Sequence, residues 1–361
     1  MMPTPNLVGD KGDPLPDIHF KTFLKHKKDY SFKNTRIIAY IQAQNHSIWA
    51  LEMSPDGKYV ACGGEDKVIN LYSIYRKKPY LKEERKFYGH TSDIVHLSWS
   101  NDGFLLSCSL DSTVRLWNPS QNDTISVFKH EDAVTSSSFN PDNSKEFVSC
   151  TFGLAAYVWN INDHTIIQTI KFNSPPTALT FSPDGSKIVV GCFNGFCYFY
   201  NAHDYSYITQ FIAGPRHKKL TSGKKITSII FSKNDEFIVA TDDDRIRLYS
   251  LQNYSVIRKY LGHVSNESQT TISLSPDHKF IMAPSETRGK VFIWPIDHEK
   301  MFSHGGLGFR FKRDRSNTSE GFGLGMKTTV NTAIFTSFTT DSHLYALISD
   351  NRGRIYIVIS D

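Results

Sequence analysis

The sequence predicts an all-β fold built from a repeated unit, and three observations support this prediction. A pattern of about 40–45 residues occurs seven times along the chain. Within each copy apolar and polar residues alternate with a period of two, as in Val95, Leu97 and Trp99, which is typical of half-buried strands. No segment sustains the 3.6-residue period of an amphipathic helix. A unit of this length cannot bury its own apolar face, so the copies must stack on one another.

The best-preserved copy runs from Gly89 to Asn118 and shows what each unit contains. A Gly-His pair is followed by a strand, an Asn-Asp-Gly turn, a second strand, a turn Asp and the sequence Val-Arg-Leu-Trp. Ser-Pro-Asp-Gly occupies the same turn in two other copies, where Pro sets the first turn dihedral and Gly accepts the positive one. The last aromatic of each copy marks the repeat: Tyr72, Trp117, Trp159, Tyr200, Tyr249 and Trp294, with Val358 in that position of a degenerate seventh copy.

Repeats of this length with four short strands each are typical of a β-propeller, so we predict seven blades around one axis. The chain ends at Asp361, directly after the third strand of the seventh copy. We therefore expect residues 36–41 to complete that blade, because an open ring would leave an exposed sheet edge. Residues 1–30, rich in Pro, Asp, Gly and Lys, are expected to be a flexible N-terminal arm. Residues 31–361 form the predicted propeller, closed by an N-terminal strand, with an insertion at about residues 297–327.

Composition and charge narrow the class of protein. The net charge of +5 is small for 361 residues, so an anionic partner is permitted but not required, and nucleic acid binding is not expected. The five Cys residues lie in strand-like segments, which indicates buried thiols rather than a zinc site. We find no signal segment and no run of about 18 apolar residues. The sequence therefore predicts a cytoplasmic protein without a cofactor or metal.

His90, Ser107 and Asp111 in the second copy contain the parts of a hydrolase triad, and Trp117 completes the set. We interpret these four residues as a structural hydrogen-bond relay, since each polar group needs a partner once it is buried. A nucleophilic Ser would need an exposed elbow and an oxyanion hole, and neither is visible, so we predict no enzymatic activity and keep a hydrolase as the remote alternative. Other copies retain only parts of the relay. The first has His46 and Asp66 but Cys62 in place of the Ser, and the third has His130, Ser149 and Trp159 but Gly153 in place of the Asp. The fourth has Asn194, the fifth has Asp243 without the His, and the sixth has only His263 and Trp294.

Basic segments that depart from the minimal repeat are the candidate partner contacts. A propeller binds through its loops and insertions, because these vary while the blades stay rigid. Basic residues mixed with aromatics, as in the late insertion, can engage an anionic lipid headgroup or an acidic protein segment. The candidate contacts are Arg216, Lys218 and Lys219 in the link between the fourth and fifth copies, and Arg310, Lys312, Arg313 and Arg315 in the insertion.

Beyond the general WD-repeat pattern, several stretches are similar to one family. They include residues 89–93 (Gly-His-Thr-Ser-Asp), 113–117 (Thr-Val-Arg-Leu-Trp) and 244–249 (Asp-Arg-Ile-Arg-Leu-Tyr). In their order and spacing they resemble the Rab-GTPase-binding WD-repeat family, the rabphilin-like proteins of recycling endosomes. The resemblance covers roughly residues 40–300. In that family the Rab-binding segment precedes the propeller, so no Rab-contacting residue is assigned to this chain.

The resemblance implies a non-enzymatic scaffold in vesicle or membrane trafficking. Its expected partners are other proteins, including a Rab-type small GTPase or a trafficking complex, and its expected location is the cytoplasm or the surface of endosomal or other vesicle membranes. The alternative is a peripheral propeller that binds anionic lipid through the basic late insertion.

Overall fold

The computed structural model of this chain consists of β-strands joined by turns and links. Within the residues it describes, every regular element is a strand and there is no helix. The prediction of an all-β fold is therefore confirmed. The described residues are 21–25, 32, 35–75, 80–214, 223–233, 235–265, 269–287, 289–296, 315–316, 319–324, 328–340 and 343–360.

Blades 1 to 4 are sheets of four consecutive antiparallel strands. Each blade begins after a link from the blade before it, which is what the repeat pattern predicts. Their strands are β3 (Ile48–Met53), β4 (Tyr59–Gly64), β5 (Ile69–Ile74) and β6 (Leu81–Phe87) in blade 1; β7 (Ile94–Trp99), β8 (Leu105–Ser109), β9 (Thr113–Trp117) and β10 (Ser126–Lys129) in blade 2; β11 (Val134–Phe139), β12 (Glu146–Thr151), β13 (Ala155–Asn160) and β14 (Thr165–Lys171) in blade 3; β15 (Pro176–Phe181), β16 (Lys187–Cys192), β17 (Phe196–Asn201) and β18 (Tyr207–Ile212) in blade 4.

Blades 5 to 7 have the same four-stranded plan with additions at the outer edge. Blades 5 and 6 each gain a fifth strand, and blade 7 takes its outer strand from the beginning of the chain. Their strands are β19 (Ile226–Lys233), β20 (Glu236–Thr241), β21 (Arg245–Ser250) and β22 (Val256–Leu261) with β26 (Arg315–Ser316) in blade 5; β23 (Ser273–Leu274), β24 (Phe280–Ser285), β25 (Lys290–Pro295) and β27 (Ser319–Gly323) with β1 (Lys21–Lys25) in blade 6; β28 (Val330–Thr340), β29 (His343–Asp350), β30 (Arg354–Ser360) and β2 (Arg36–Gln42) in blade 7.

The ring is closed by β2, as the sequence predicts. β2 pairs antiparallel with β30 from Arg36 opposite Ile359 to Gln42 opposite Arg354. Two apolar side chains of β2, Ile37 and Ile41, are buried. The first and last parts of the chain therefore share one blade, and the prediction of a seven-bladed propeller closed by an N-terminal strand is confirmed.

Two segments differ from the expected arm and insertion. Residues 21–25, inside the expected flexible arm, form β1 and pair with β27. β27, the outer strand of blade 6, lies inside the expected insertion of residues 297–327, and Phe322 at its centre is buried. The sequence pattern does not reveal these strands, because Ser-Glu-Gly-Phe-Gly has a single large apolar residue and no alternation.

The inner strands contact each other around the axis, which defines the inside of the ring. β3, β7, β11 and β15 lie beside one another in turn, and β28 returns to β3. Side chains reinforce this circle: Thr177 Oγ1 donates to Ile226 O at 2.6 Å, and Asn331 Nδ2 donates to Ile48 O at 3.0 Å. The first strand of each blade is therefore the innermost, and the fourth forms the rim.

The apolar core lies between neighbouring blades. Leu71, Ile94 and Trp117, from blades 1 and 2, belong to one fully buried cluster, and similar clusters follow around the ring. Each blade thus buries its apolar faces only against its neighbours, as a stacked repeat requires. The loops at the two ends of the strands add a few residues to these clusters, such as Ala43, Phe172 and Ala213, and present other side chains on the surface.

Candidate functional site

The side chains singled out in the second repeat meet inside blade 2. His90 lies in the link before β7, Ser107 on β8, Asp111 in the following turn and Trp117 on β9. His90 Nδ1 is 2.8 Å from Asp111 Oδ2, and His90 Nε2 is 2.7 Å from Ser107 Oγ. The indole nitrogen of Trp117 donates to Ser107 Oγ at 2.8 Å. One tautomer satisfies every group: Nδ1 donates to the carboxylate, and Nε2 accepts the hydroxyl proton of Ser107.

This cluster is buried and has no access for a substrate. The Ser107 side chain is 0% exposed, so an incoming carbonyl carbon cannot reach its hydroxyl. Burial raises the pKa of the Asp111 carboxyl, but hydrogen bonds from His90, Thr113 and the Thr91 backbone outweigh burial and bring the pKa below its ordinary value. The charged carboxylate therefore holds the turn after β8 against the link before β7.

Blades 1 and 3 carry incomplete versions of the same arrangement. In blade 3, His130 Nε2 is 2.8 Å from Ser149 Oγ, and the Trp159 indole nitrogen donates to Ser149 at 3.0 Å, but the turn supplies no acid. In blade 1, the His46 ring lies on the surface and contacts Asp66 at 2.5 Å. Blade 2 is the one blade among the described residues in which His, Ser, Asp and Trp all connect.

Blade 5 satisfies its turn Asp in a way that the sequence reasoning missed. There Asp243 was expected to lack a His partner. The guanidinium of Arg247 takes that place: it is 2.5 Å from Asp243 Oδ2 and donates to Thr241 Oγ1 at 2.6 Å, and its side chain is 0% exposed. Residues 246–249 of β21 are all buried, so the strand is covered on both faces, and alternation of apolar and polar residues does not reveal that Arg247 is buried.

One end of the ring carries the turns between the second and third strands together with the links between blades. We call this end the turn face. The first residue of these turns is apolar in three adjacent blades: Leu110, Phe152 and Phe193 are exposed to 39%, 50% and 56%. Leu154, also in the blade 3 turn, is 41% exposed. We call these four residues the turn-face patch. In the other blades the same position holds Glu65, Asp242, Glu286 and Asn351.

Backbone hydrogen bonds tie each turn of the turn-face patch to the adjacent link. Each link lies between the turn of its preceding blade and the turn of the next, so the three turns keep fixed positions relative to one another. From blade 2 to blade 4 the bonds are His130 N to Ser112 O (2.9 Å), Phe152 N to Ala133 O (3.0 Å), Phe172 N to Leu154 O (2.8 Å) and Phe193 N to Pro175 O (2.8 Å).

Charged residues of both signs lie between and beside the members of the patch. Glu131 and Asp132 are exposed in the link between the blade 2 and blade 3 turns, and with burial they raise the pKa of Tyr157. Lys129 and Lys171 are exposed at the ends of neighbouring rim strands. The exposed apolar side chains of this face therefore alternate with charged ones.

The basic residues predicted as partner contacts remain a prediction. Nearly all of them lie outside the described residues: Arg216, Lys218 and Lys219 in the link, and Arg310, Lys312 and Arg313 in the insertion. Arg315 begins β26, which pairs parallel with β22 opposite Lys259.

The part of the chain that the structure describes contains no group of three or more His, Cys, Asp or Glu side chains suited to a metal ion. All five Cys residues are buried and free. Burial raises the pKa of Cys62, Cys108 and Cys192 to about 12, so these thiols are protonated at neutral pH. Within the same described residues, no helix is long and apolar enough to cross a membrane.

The fold defines a class of protein: a β-propeller built from seven similar blades. Comparison with known families agrees. Four segments, residues 36–73, 81–118, 164–201 and 215–250, match the WD domain, G-beta repeat family (WD40). The chain is a seven-bladed β-propeller with WD40 repeats, and propellers of this kind generally bind other proteins and are not enzymes.

Several known proteins are similar over most of this chain. WD repeat-containing protein 44 of Xenopus laevis is 27% identical over an alignment 352 residues long. The alignment covers 82% of this chain and 38% of that protein. An uncharacterized WD repeat-containing protein of Schizosaccharomyces pombe is 30% identical over 74% of this chain and 51% of its own length. The 2-deoxy-glucose resistant protein 2 of Saccharomyces cerevisiae is 27% identical over 66% of this chain and 30% of its own length. This chain therefore spans between about a third and a half of these relatives.

Proposed function

We propose that this protein is a non-enzymatic scaffold that binds protein partners through the turn face of blades 2 to 4. The observation that carries the proposal is the turn-face patch, in which Leu110, Phe152 and Phe193 occupy one repeat position in adjacent blades and stay exposed. Large apolar side chains that are exposed together on one side of a protein mark interaction sites. Because the blades fix the turns, a partner meets a preorganised surface and little ordering is needed on this side.

We further propose that the scaffold works in vesicle or membrane trafficking, linked to a small GTPase, in the cytoplasm and at the surface of endosomal or other vesicle membranes. The support is the resemblance of residues 40–300 to the Rab-binding WD-repeat family and the similarity to WD repeat-containing protein 44 of Xenopus laevis. For the anionic-lipid alternative, the basic residues that would make the contact lie almost entirely outside the described residues. No structural observation favours that alternative.

Quantitative affinity purification of full-length protein tests the docking surface. The variant Phe152→Asp/Phe193→Asp places two carboxylates in the patch without touching the buried core. We expect its specific partners to fall at least tenfold below wild type, because aromatic residues at interface centres carry much of the binding energy. The matched control is Tyr207→Asp/Ile208→Asp, which changes two exposed residues on the rim strand β18 and should retain the partners.

If both double variants recover the same partners as wild type, the turn face is not the docking surface. The identity of the partners tests the trafficking role separately. Membrane-tethering proteins or a small GTPase among those lost with Phe152→Asp/Phe193→Asp would support it, and their absence would contradict it. Sedimentation with anionic liposomes in the same preparation tests the lipid alternative.

A further inference from the structure

The innermost strands of five blades enclose a channel of about 330 Å³. These strands are β3, β7, β11, β15 and β19, and the channel lies inside the ring that they form. Its volume is within the range of pockets that bind ligands, about 300–1,000 Å³. Among the described residues that line it, Glu52 on β3 is the only Asp, Glu, Lys or Arg. The channel therefore has one acid and, within that lining, no Lys or Arg to pair with it.

Glu52 occupies a position at which the next three blades have small hydroxyl residues. The strand register places it level with Ser98, Ser138 and Thr180 in blades 2, 3 and 4. A hydroxyl loses little free energy when water is partly excluded from it, whereas a carboxylate without a partner loses much more. The repeated fold therefore does not require an acid at this position, and an acid there is costly in the free protein.

The blades on either side of Glu52 supply no Lys or Arg from their two inner strands. In blade 2 these strands lie within residues 94–109 and in blade 7 within residues 330–350, and neither segment contains Lys or Arg. The nearest Lys in the sequence, Lys58, pairs with Asp56 at 2.9 Å. Burial of the Glu52 carboxyl outweighs a hydrogen bond from the Met53 N–H and raises its pKa to about 7. A cation that enters the channel therefore meets a poorly solvated acid.

An indole ring lies beside this acid. Leu51 packs in the cluster between blades 7 and 1, so the next side chain of β3, that of Glu52, is on the side of blade 2. On that side Trp99 lines the channel, and its Nε1 donates to the backbone carbonyl of Glu52 at 3.4 Å. Glu52 is exposed and Trp99 is half-buried, so a ligand in the channel can reach both. A carboxylate and an indole ring are both favourable neighbours for a cationic side chain.

We propose that the channel takes up one Lys or Arg side chain of a partner protein, which pairs with the Glu52 carboxylate beside Trp99. Pro55, in the turn after β3, also lines the channel, so the site lies toward the end of the ring opposite the turn face. The cation supplies the charge that the neighbouring inner strands do not. This site is separate from the turn-face patch, so either can fail without the other.

Saturation-transfer NMR on the full-length protein at about pH 8, where Glu52 is largely ionised, tests the site. The probes are Nα-acetyllysinamide and Nα-acetylargininamide, with Nα-acetylnorleucinamide as the uncharged comparison. At least one of the two cations should bind about tenfold more tightly than the norleucine compound, because a hydrogen bond to a charged group adds to the affinity. If neither cation binds, or if the norleucine compound binds equally well, the proposal is wrong.

Two variants of blade 1 locate the binding. Glu52→Gln keeps the shape of the side chain without its charge and should abolish the preference for the cations. Its melting temperature at about pH 8 should not fall, because the change removes a poorly solvated charge. Glu84→Gln, on the exposed rim strand β6, is the matched control and should bind the cations like wild type. Cation binding that persists undiminished in Glu52→Gln would place the probe elsewhere and overturn the assignment.

The pH dependence of binding to wild type gives a second measurement that needs no variant. With a pKa of about 7, Glu52 is largely protonated at about pH 5.5 and largely ionised at about pH 8. Burial lowers the pKa of His96, which also lines the channel, to about 4, so His96 is neutral at both. Asp56, with a lowered pKa, and Lys58, with a raised one, stay charged. The cations should bind several-fold more weakly at the lower pH, and equal binding at both would contradict the proposal.

Discussion

Single residues decide how firmly each turn is tied to its neighbouring link. In blade 2, the carboxylate of Asp111 contacts His90, the Thr113 side chain and two backbone N–H groups. Blade 3 has Gly153 in place of the acid, and its His130 donates instead to a backbone carbonyl. The same repeat position thus gives different local stability in different blades, although the strands around it are alike.

The Asp111→Ala substitution tests the relay in blade 2. It leaves a buried His90 without its partner, which should cost about 2 kcal/mol of unfolding free energy, since an unsatisfied buried donor costs roughly 1–3 kcal/mol. Chemical denaturation measures the loss. Asp102→Ala, in an exposed turn of the same blade, is the control and should change little. Equal stability of the two variants would refute the relay.

Arg247 and Asp243 in blade 5 should behave as a coupled buried pair. Asp243→Ala leaves the guanidinium of Arg247 buried and unpaired, a change that typically costs about 3–5 kcal/mol. The double variant Asp243→Ala/Arg247→Met removes both charges and should recover much of that loss. Denaturation of the wild type, both single variants and the double variant gives the coupling energy. Additive losses would show that the pair contributes nothing.

Burial of His130 makes part of the stability depend on pH. Burial lowers the pKa of His130 to about 4, below the ordinary 6.5, so the folded state favours the neutral ring. The resulting stability is complete above pH 6.5 and is lost as the pH falls from 6.5 to about 4. Unfolding free energies at about pH 7 and about pH 4.5 should therefore differ less in His130→Gln than in wild type. An unchanged difference would contradict this cause.

Much of the residue-level arrangement could be predicted, and the exceptions have physical reasons. Spacing alone placed His90, Ser107 and Asp111 at positions that the strands bring together. Arg247 was missed because a charged residue is normally assigned to the exposed face of a strand. The turn-face patch was missed because strand periodicity stops at the turn and says nothing about the exposure of Phe152 or Phe193.

At the scale of strands, the outer edges of the later blades are covered by distant parts of the chain. β2 completes blade 7, β1 covers β27 in blade 6, and β26 lies along β22 in blade 5. Covering an edge removes unpaired backbone groups that would otherwise pair with another chain. The sequence predicted β2 because its apolar residues needed a partner strand. It did not predict β1 or β26, which are short and lack a repeat signal.

Deleting residues 1–44 tests the contribution of β2. The deletion removes the outer strand of blade 7 and exposes the core that Ile37 and Ile41 cover, each worth about 1.5–3 kcal/mol when buried. Calorimetry should show a lower melting temperature for the whole ring. Deletion of residues 1–30 removes β1 but keeps β2, and it should melt closer to the full-length protein than the longer deletion does. If the longer deletion also melts like full-length protein, closure by β2 does not stabilise the ring.

At the scale of the whole molecule, the blades provide rigidity and the turn face provides variation. Neighbouring blades share buried clusters, and their links and turns are joined by backbone hydrogen bonds, so the turns keep a fixed arrangement. The first position of the turn is apolar only in blades 2, 3 and 4. In the other four blades the same position holds an acidic or polar residue. This asymmetry distinguishes one side of a ring of similar blades, and that side is the one we propose for a partner.

Hydrogen–deuterium exchange on the purified complex with a recovered partner tests this account most directly. Binding at the turn face should slow exchange in residues 110–112, 152–154 and 193–195, while the turns that contain Asp242 and Asn351 exchange as in the free protein. Protection confined to other blades or to the rim, with the three apolar turns unchanged, would contradict it.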